Sequence, residues 1–360
     1  MRKALISMLG MTLLACSGHA EEPQNESATM TNYYTRQTRI NDVMNDAAFG
    51  DNGRLIFPVN TGYWSGATLE QLQLTWYNYI DPDKTVEVCN YLRAHADDCF
   101  IDIYTETEKQ ANPDLRNTGL FFFRGNSNAP FAICNAGGGF SYVGAMHDSF
   151  PHALELSKQG YNAFALIYRP GDAYEDLARA ITYICDHADE LGVSRTGYSL
   201  WGGSAGARMA ATLGNSSYLR QLTGRTDIPQ ASAVIMQYTG YTTVSPYDGP
   251  TYACCGTSDG IASWRTMQSR LESLSALGIP TEFHSYNGLP HGFGLGTGTV
   301  AEGWLQDAVR FWQQQSSATA VRSAKTNTKQ SDSIYSLNGT RRNAMQKGIN
   351  IVDGRKVAVK

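Results

Sequence analysis

Between residues 100 and 315, short runs of β-branched and aromatic residues alternate with helical patterns, and a layered α/β domain is the arrangement that accommodates such alternation. The strand-like runs fall at 100–105, 119–124, 131–135, 163–168, 197–201, 233–237, 251–255 and 281–286. Helical patterns fall at 152–159 and 174–191, then after Ser204, and finally at 302–315, where Trp304, Ala308, Phe311 and Trp312 share one face. The order predicts a doubly wound, mostly parallel sheet with helices on both sides. A content of 42% hydrophobic residues in 360 supplies the core such a sheet needs.

The flanks differ in character. Arg2 and Lys3 precede an apolar run from Ala4 to Leu14, then small residues, then Glu21-Glu22, which is the order of a secretory signal peptide over 1–20. Leu13-Leu14-Ala15-Cys16 resembles the lipobox of bacterial lipoproteins. That resemblance implies membrane attachment through a lipidated Cys16 and export to the envelope, the periplasm or the medium. Gly18-His19-Ala20 offers ordinary cleavage as the other exit. Residues 21–53 are polar and turn-rich and read as a leader with little structure. Residues 54–99 read as an N-terminal helical extension or cap, with helices over 68–80 and 85–96 and a capping box from Thr68 to Gln71. Tyr63, Trp64 and Trp76 from this segment are placed to narrow a pocket, or simply to cover a sheet edge. Residues 316–332 carry no apolar period and read as a linker. The tail, 333–360, ends in a hairpin signalled by Asp353-Gly354 between two alternating runs. It resembles the C-terminal tails of many exported bacterial proteins, which implies sorting or attachment; an unattached appendage is the plainer alternative.

Composition excludes some classes. A net charge of −4 gives no footprint for nucleic acid. No two cysteines have zinc-site spacing, so neither a metal nor a cofactor is expected. Of the six cysteines after Cys16, Cys89 and Cys99 form the one pair expected to oxidise, because they flank a polar stretch outside the predicted core.

The chemistry gathers at Gly202-Gly203-Ser204-Ala205-Gly206. Gly-x-Ser-x-Gly alone is a weak signal. Here a strand-like run leads into it and good helix formers, Ala207 to Ala211, follow. A sharp strand-to-helix turn lifts a serine hydroxyl above a sheet and sets the helix N-terminus beside developing negative charge. Upstream, Ala136-Gly137-Gly138-Gly139-Phe140 follows the run at 131–135, and consecutive glycines free backbone N–H groups to point into a site. No Lys-Ser/Thr follows them, so a phosphate-binding P-loop is excluded. Downstream, Asp259 lies just beyond the run at 251–255 and His291 lies in a loop after the last one. The order Ser, Asp, His differs from the chymotrypsin and subtilisin orders. Asp248 is the fallback acid, but it precedes its strand. His147 and His152 follow the glycine loop and read as surface packing, with pocket lining as the alternative. Arg169 and Asp176 read as a structural brace.

On these residues the segment from about 100 to 315 resembles α/β-hydrolase esterases related to hormone-sensitive lipase and to carbohydrate acetyl and feruloyl esterases. The glycine loop is similar to the family's H-G-G-G-[FW], Tyr168-Arg169 to its Y-R, Glu175-Asp176 to its E-D, and Gly203 to Ala207 to G-[DES]-S-A-G-[AG]. Gly256 to Asp259 and Pro290 to Phe293 resemble its acid and histidine segments. The resemblance implies Ser204 as nucleophile, His291 as base, Asp259 as its orienter, and an oxyanion hole from Gly138, Gly139 and Ala205. It implies an ester substrate, small or polysaccharide, with acetylated xylan as the expected kind. One position departs: Ala136 stands where the family has a histidine, which leaves the support of the loop open. A peptidase of the prolyl-oligopeptidase type shares fold and residue order, although no propeller pattern precedes the domain. A non-catalytic envelope module on the same scaffold is the third reading.

Overall fold

All eight predicted runs contribute a strand to one eight-stranded sheet in the computed structural model. The structure describes residues 33–58, 62–77, 79–327, 334–336, 338–352 and 355–359. The strands are β1 (Phe100–Ile101), β2 (Gly119–Phe123), β3 (Pro130–Asn135), β4 (Asn162–Ile167), β5 (Ser194–Gly203), β6 (Ala233–Gln237), β7 (Thr251–Gly256) and β8 (Thr281–Tyr286). Their spatial order is β8-β7-β6-β5-β3-β4-β2-β1. The five pairings from β8 to β4 are parallel, while β2 runs antiparallel to β4 and β1 to β2. Strands covered on both faces read as unbroken apolar runs, and β2, β4, β6 and β7 are buried along their whole length.

Helices cover both faces. The longer ones are α1 (Pro82–Ala94), α2 (Phe150–Lys158), α3 (Ala173–Asp186), α4 (Ala205–Leu213), α5 (Trp264–Ala276) and α6 (Trp304–Asn327). The predicted face of α6 is buried in full, with Trp304 tilted against Trp201 of β5 and Trp312 edge-on to it. Strand order reverses between β3 and β5: β3 leads to β4 on one side, and β5 lies on the other. In open α/β sheets ligands settle beyond the carboxyl ends of the strands at such a switch point. The glycine loop leaves β3 there and Ser204 leaves β5.

Several expectations need correction. Residues 33–53 are structured: a helix (Ile40–Met44) and a 3-10 segment (Ala47–Leu55) bury Ile40, Val43 and Leu55 in the main core. Ile40, Val43 and Met44 fall at i, i+3 and i+4, a single helical turn too short to stand out in the sequence, and Tyr33 and Ala47 stay exposed. The helix expected over 68–80 is absent. Instead there is a 3-10 turn (Leu69–Gln71) and a short strand (Gln73–Leu74) paired with Trp64–Ser65. Leu72 and Leu74 are buried while Gln73 is exposed, a two-residue alternation that suits a strand. Thr68 makes no side-chain cap. Cys89 and Cys99 are free thiols, both buried, as are the other four cysteines among the described residues. Burial pushes the Cys99 thiol up to about 12, which leaves little of the thiolate that disulfide exchange needs. The linker begins later than expected, because α6 continues to Asn327.

The tail forms its own four-stranded antiparallel sheet from Ile334–Ser336, Arg341–Arg342, Gly348–Val352 and Arg355–Val359. Val352 pairs with Arg355, as a two-residue hairpin requires; Asp353 and Gly354 lie outside the described residues, as do the signal-peptide region and Cys16.

Candidate active site

Ser204 sits at the turn between β5 and α4 with φ 52° and ψ −114°, a backbone conformation that L residues rarely hold. The flanking glycines permit it. A Cβ on Gly202 would lie 2.2 Å from the carbonyl carbon of Gly206, and one on Gly206 would lie 2.0 Å from the Asn135 oxygen at the end of β3. Strand and helix therefore close on each other through bare backbone. The Ser204 N–H donates to the Gln237 carbonyl of β6 at 3.0 Å, which ties the turn to the next strand.

The sequence-predicted partners converge on this turn. Nε2 of His291 lies 3.2 Å from the Ser204 hydroxyl, and Nδ1 lies 2.8 Å from Oδ2 of Asp259. These residues come from the ends of β5, β7 and β8, separated by 87 and 32 positions. The other carboxylate oxygen of Asp259 accepts from the N–H groups of Ile261 at 2.8 Å and Ala262 at 2.7 Å. Burial disfavours the charged carboxylate, but the His291 hydrogen bond and these backbone donors outweigh it, and Asp259 sits below its ordinary value. The His291 loop is pinned at its next turns: the Gly294 carbonyl accepts from Gln237 and Trp304, and the Gly292 carbonyl lies 2.8 Å from Nε2 of His147.

The glycine loop crosses directly over the serine. A Cβ on Gly137 would stand 3.0 Å from Cβ of Ser204. Gly138, Gly139 and Phe140 all have positive φ, at 123°, 61° and 57°. Among the described residues, the N–H groups of Gly138, Gly139 and the helix-opening Ala205 have no protein acceptor. An apolar cavity of about 220 Å³, lined in part by Met146, Pro151, Leu289 and Phe293, includes His291 in its wall.

The loop's support, left open by Ala136, comes from Asp148, which the sequence did not single out, and from Tyr168 at the end of the β4 run. The Asp148 carboxylate accepts from the Gly137 N–H at 3.0 Å, and the Tyr168 hydroxyl donates to the Ala136 carbonyl at 2.8 Å. Asp148 also accepts from the hydroxyls of Tyr77 and Tyr238. In sequence Asp148 is one polar residue among several after the glycines, and its tyrosine partners lie 71 and 90 positions away. His147 and His152, expected at the surface with pocket lining as the alternative, are both buried, and His147 lines the apolar cavity beside Asp148.

Residues 62–77 lie over the loop. Tyr63 and Trp76 stack on Tyr142, and Trp76 reaches within 3.0 Å of where a Gly139 Cβ would be. Trp64 stays in its short strand. Arg169 and Asp176 form a buried fork, with Nη2 to Oδ1 at 2.7 Å, held also by Tyr104. Asp248, the fallback acid, is taken by Arg270 and Asn215 and is not joined to His291. Among the described residues no cluster of three or more His, Cys, Asp or Glu could hold a metal ion.

No curated protein matches the chain in sequence. The acetyl ester-xyloside bifunctional hydrolase of Caldicellulosiruptor lactoaceticus superposes with a TM-score of 0.52 at 20% identity, covering 60% of this chain and 95% of its own. MGS-M1, an alpha/beta hydrolase from a Medee basin deep-sea metagenome library, gives 0.49 at 21% identity, over 61% and 97%. Esterase 2 of Thermogutta terrifontis gives 0.44 at 20%, over 58% and 90%. The BD-FAE family model matches residues 124–250, a span that holds the glycine loop and Ser204 and stops short of Asp259 and His291. Eight strands in this order, with helices on both faces and a BD-FAE match across the serine turn, identify the fold as that of the α/β hydrolases.

Proposed function

We propose that the chain is a serine-dependent carboxylic-ester hydrolase that removes acyl groups, acetate above all, from carbohydrate through an acyl-enzyme on Ser204. The observation that carries the reading is the hydrogen-bonded series Asp259–His291–Ser204 beneath a glycine loop with unused N–H groups. His291 takes the Ser204 proton through Nε2 as the hydroxyl oxygen attacks the ester carbonyl. Asp259 keeps the proton on Nδ1 and steadies the imidazolium. The N–H groups of Gly138, Gly139 and Ala205 receive the oxyanion, helped by the N-terminus of α4. His291 then protonates the leaving alcohol. Water, deprotonated by His291, cleaves the acyl-enzyme in the second step.

A carbohydrate ester is favoured by two likenesses: to the acetyl ester-xyloside hydrolase in fold, and to carbohydrate esterases in motif. Export with a lipid on Cys16 is part of the same proposal, and mass spectrometry of the membrane-bound protein should find an acylated Cys16 at its N-terminus. Replacing Ser204 by Ala should abolish turnover of p-nitrophenyl acetate and acetate release from acetylated xylan; retained turnover would sink the serine mechanism. Cleavage of dipeptide substrates without acetate release would move the assignment to a peptidase.

A further inference from the structure

A buried carboxylate beneath the site takes no part in the proposed chemistry. Asp148 ends the short helix Ala145–Asp148 and is 2% exposed. Three donors reach its carboxylate from three separate parts of the chain. The Tyr77 hydroxyl, from the N-terminal extension, lies 2.6 Å from Oδ2; the Gly137 N–H, from the loop after β3, lies 3.0 Å from the same oxygen. The Tyr238 hydroxyl, just after β6, lies 2.5 Å from Oδ1. The carboxylate also abuts the serine turn, since a Cβ on Gly203 would fall 2.5 Å from Oδ2. Tyr238 carries the connection onward: its ring meets His291 edge-on with centroids 4.9 Å apart.

We propose that Asp148 is a positioning residue that sets the glycine loop, through Gly137, and the His291 ring, through Tyr238, in one register about Ser204. The proposal rests on the serine-hydrolase reading. A carboxylate is an acceptor on every face, so it holds three donors at once; in an amide of the same shape the NH2 group would force one tyrosine hydroxyl to turn from donor to acceptor. Burial pushes the phenols of Tyr77 and Tyr238 well above their ordinary value, so both stay protonated and can donate to the carboxylate. The two groups that Asp148 links act at opposite sides of the same carbonyl: the loop receives its oxygen, and His291 moves the proton. A shift of either by a fraction of an ångström is felt in the transition state more than in substrate binding. Through Tyr77, residues 62–77 become part of this register instead of a detached cover.

The test is Asp148→Asn, with Tyr238→Phe and Tyr77→Phe beside it, each checked for an intact thermal transition. For Asp148→Asn, kcat for p-nitrophenyl acetate should fall about 10- to 100-fold while KM moves less than about threefold. The affinity of a trifluoromethyl ketone, which mimics the tetrahedral state, should fall in step with kcat. A folded Asp148→Asn protein with kcat within about twofold of the parent, or with the loss confined to KM, overturns the proposal. If Asp148→Asn does not fold, the two tyrosine variants decide, since each keeps the carboxylate and removes one donor. Lower kcat at constant KM in Tyr238→Phe supports the register; unchanged kcat in both overturns it. Ser204→Ala separates the two levels: turnover surviving there defeats the serine reading itself, whereas turnover lost there beside an unaffected Asp148→Asn defeats only the role of Asp148.

Discussion

Asp259→Asn is the sharpest probe of the proposed chemistry, because the structure dictates how the amide must sit. Oδ1 of Asp259 accepts two backbone N–H groups, from Ile261 and Ala262, while Oδ2 faces Nδ1 of His291. An asparagine has one acceptor oxygen. Turning its NH2 toward Ile261 and Ala262 would set donor against two donors, so the oxygen stays there and the NH2 faces His291. Nδ1 must then be an acceptor, which places the ring proton on Nε2, 3.2 Å from the Ser204 hydroxyl. In that tautomer the ring cannot take the serine proton. The same tautomer error in the serine-protease template costs about 10⁴-fold in kcat, or about 5 kcal/mol of barrier. A fall of that order is expected here for p-nitrophenyl acetate at neutral pH, with KM little changed. Asp259→Ala should be no more damaging, because it leaves the imidazole free to choose its tautomer. Asparagine retaining more than about a tenth of parental kcat, or proving far milder than alanine, would refute the reasoning.

Three further outcomes follow from the geometry. Burial, opposed by Asp148 and reinforced by His147, lowers the pKa of His152 from 6.5 to about 4. The unfolded chain then binds a proton between those values that the folded chain does not, so stability should fall by about 3 kcal/mol as pH drops through that window. Urea melts at pH 7 and 4.5 should show a smaller loss in His152→Leu than in the parent, and equal losses would contradict the assignment. Gly206→Ala forces a methyl to 2.0 Å from the Asn135 carbonyl, which should cost about 1–3 kcal/mol by denaturant melts and displace Ser204 enough to lower kcat. A fully stable and active Gly206→Ala would show that the β3–α4 contact is looser than described. Trp76, half-exposed yet seated on the glycine loop, should limit acyl length; Trp76→Ala should raise the butyrate-to-acetate ratio of kcat/KM by about tenfold, and an unchanged ratio would leave the indole as mere cover.

The sequence was most legible where the period of hydrophobic residues is fixed by local geometry. The buried strands and the apolar face of α6 announce themselves because each occupies consecutive residues. The same holds for Ser204, Asp259 and His291, since the ends of parallel strands all point to one edge of the sheet and a residue just past such an end has one place to go. The alternation of strand and helix thus determined the layered sheet, and with it the edge at which the candidate triad meets.

Tertiary structure decided what depends on contacts between distant segments. Ile40 and Val43 are buried although their one-turn apolar spacing is too short to signal a helix in a polar stretch, because a core can accept a single face from a segment that otherwise faces water. Residues 68–80 have enough apolar positions for a helix, and only the partner strand at Trp64–Ser65 selects the alternating reading. Cys89 and Cys99 flank a polar stretch in sequence, but α1 and the residue before β1 turn both thiols inward. Asp148 shows the limit most plainly. Its meaning lies in three donors brought from positions 77, 137 and 238, and a carboxylate's worth in a protein interior is set by whatever the fold brings within hydrogen-bond reach.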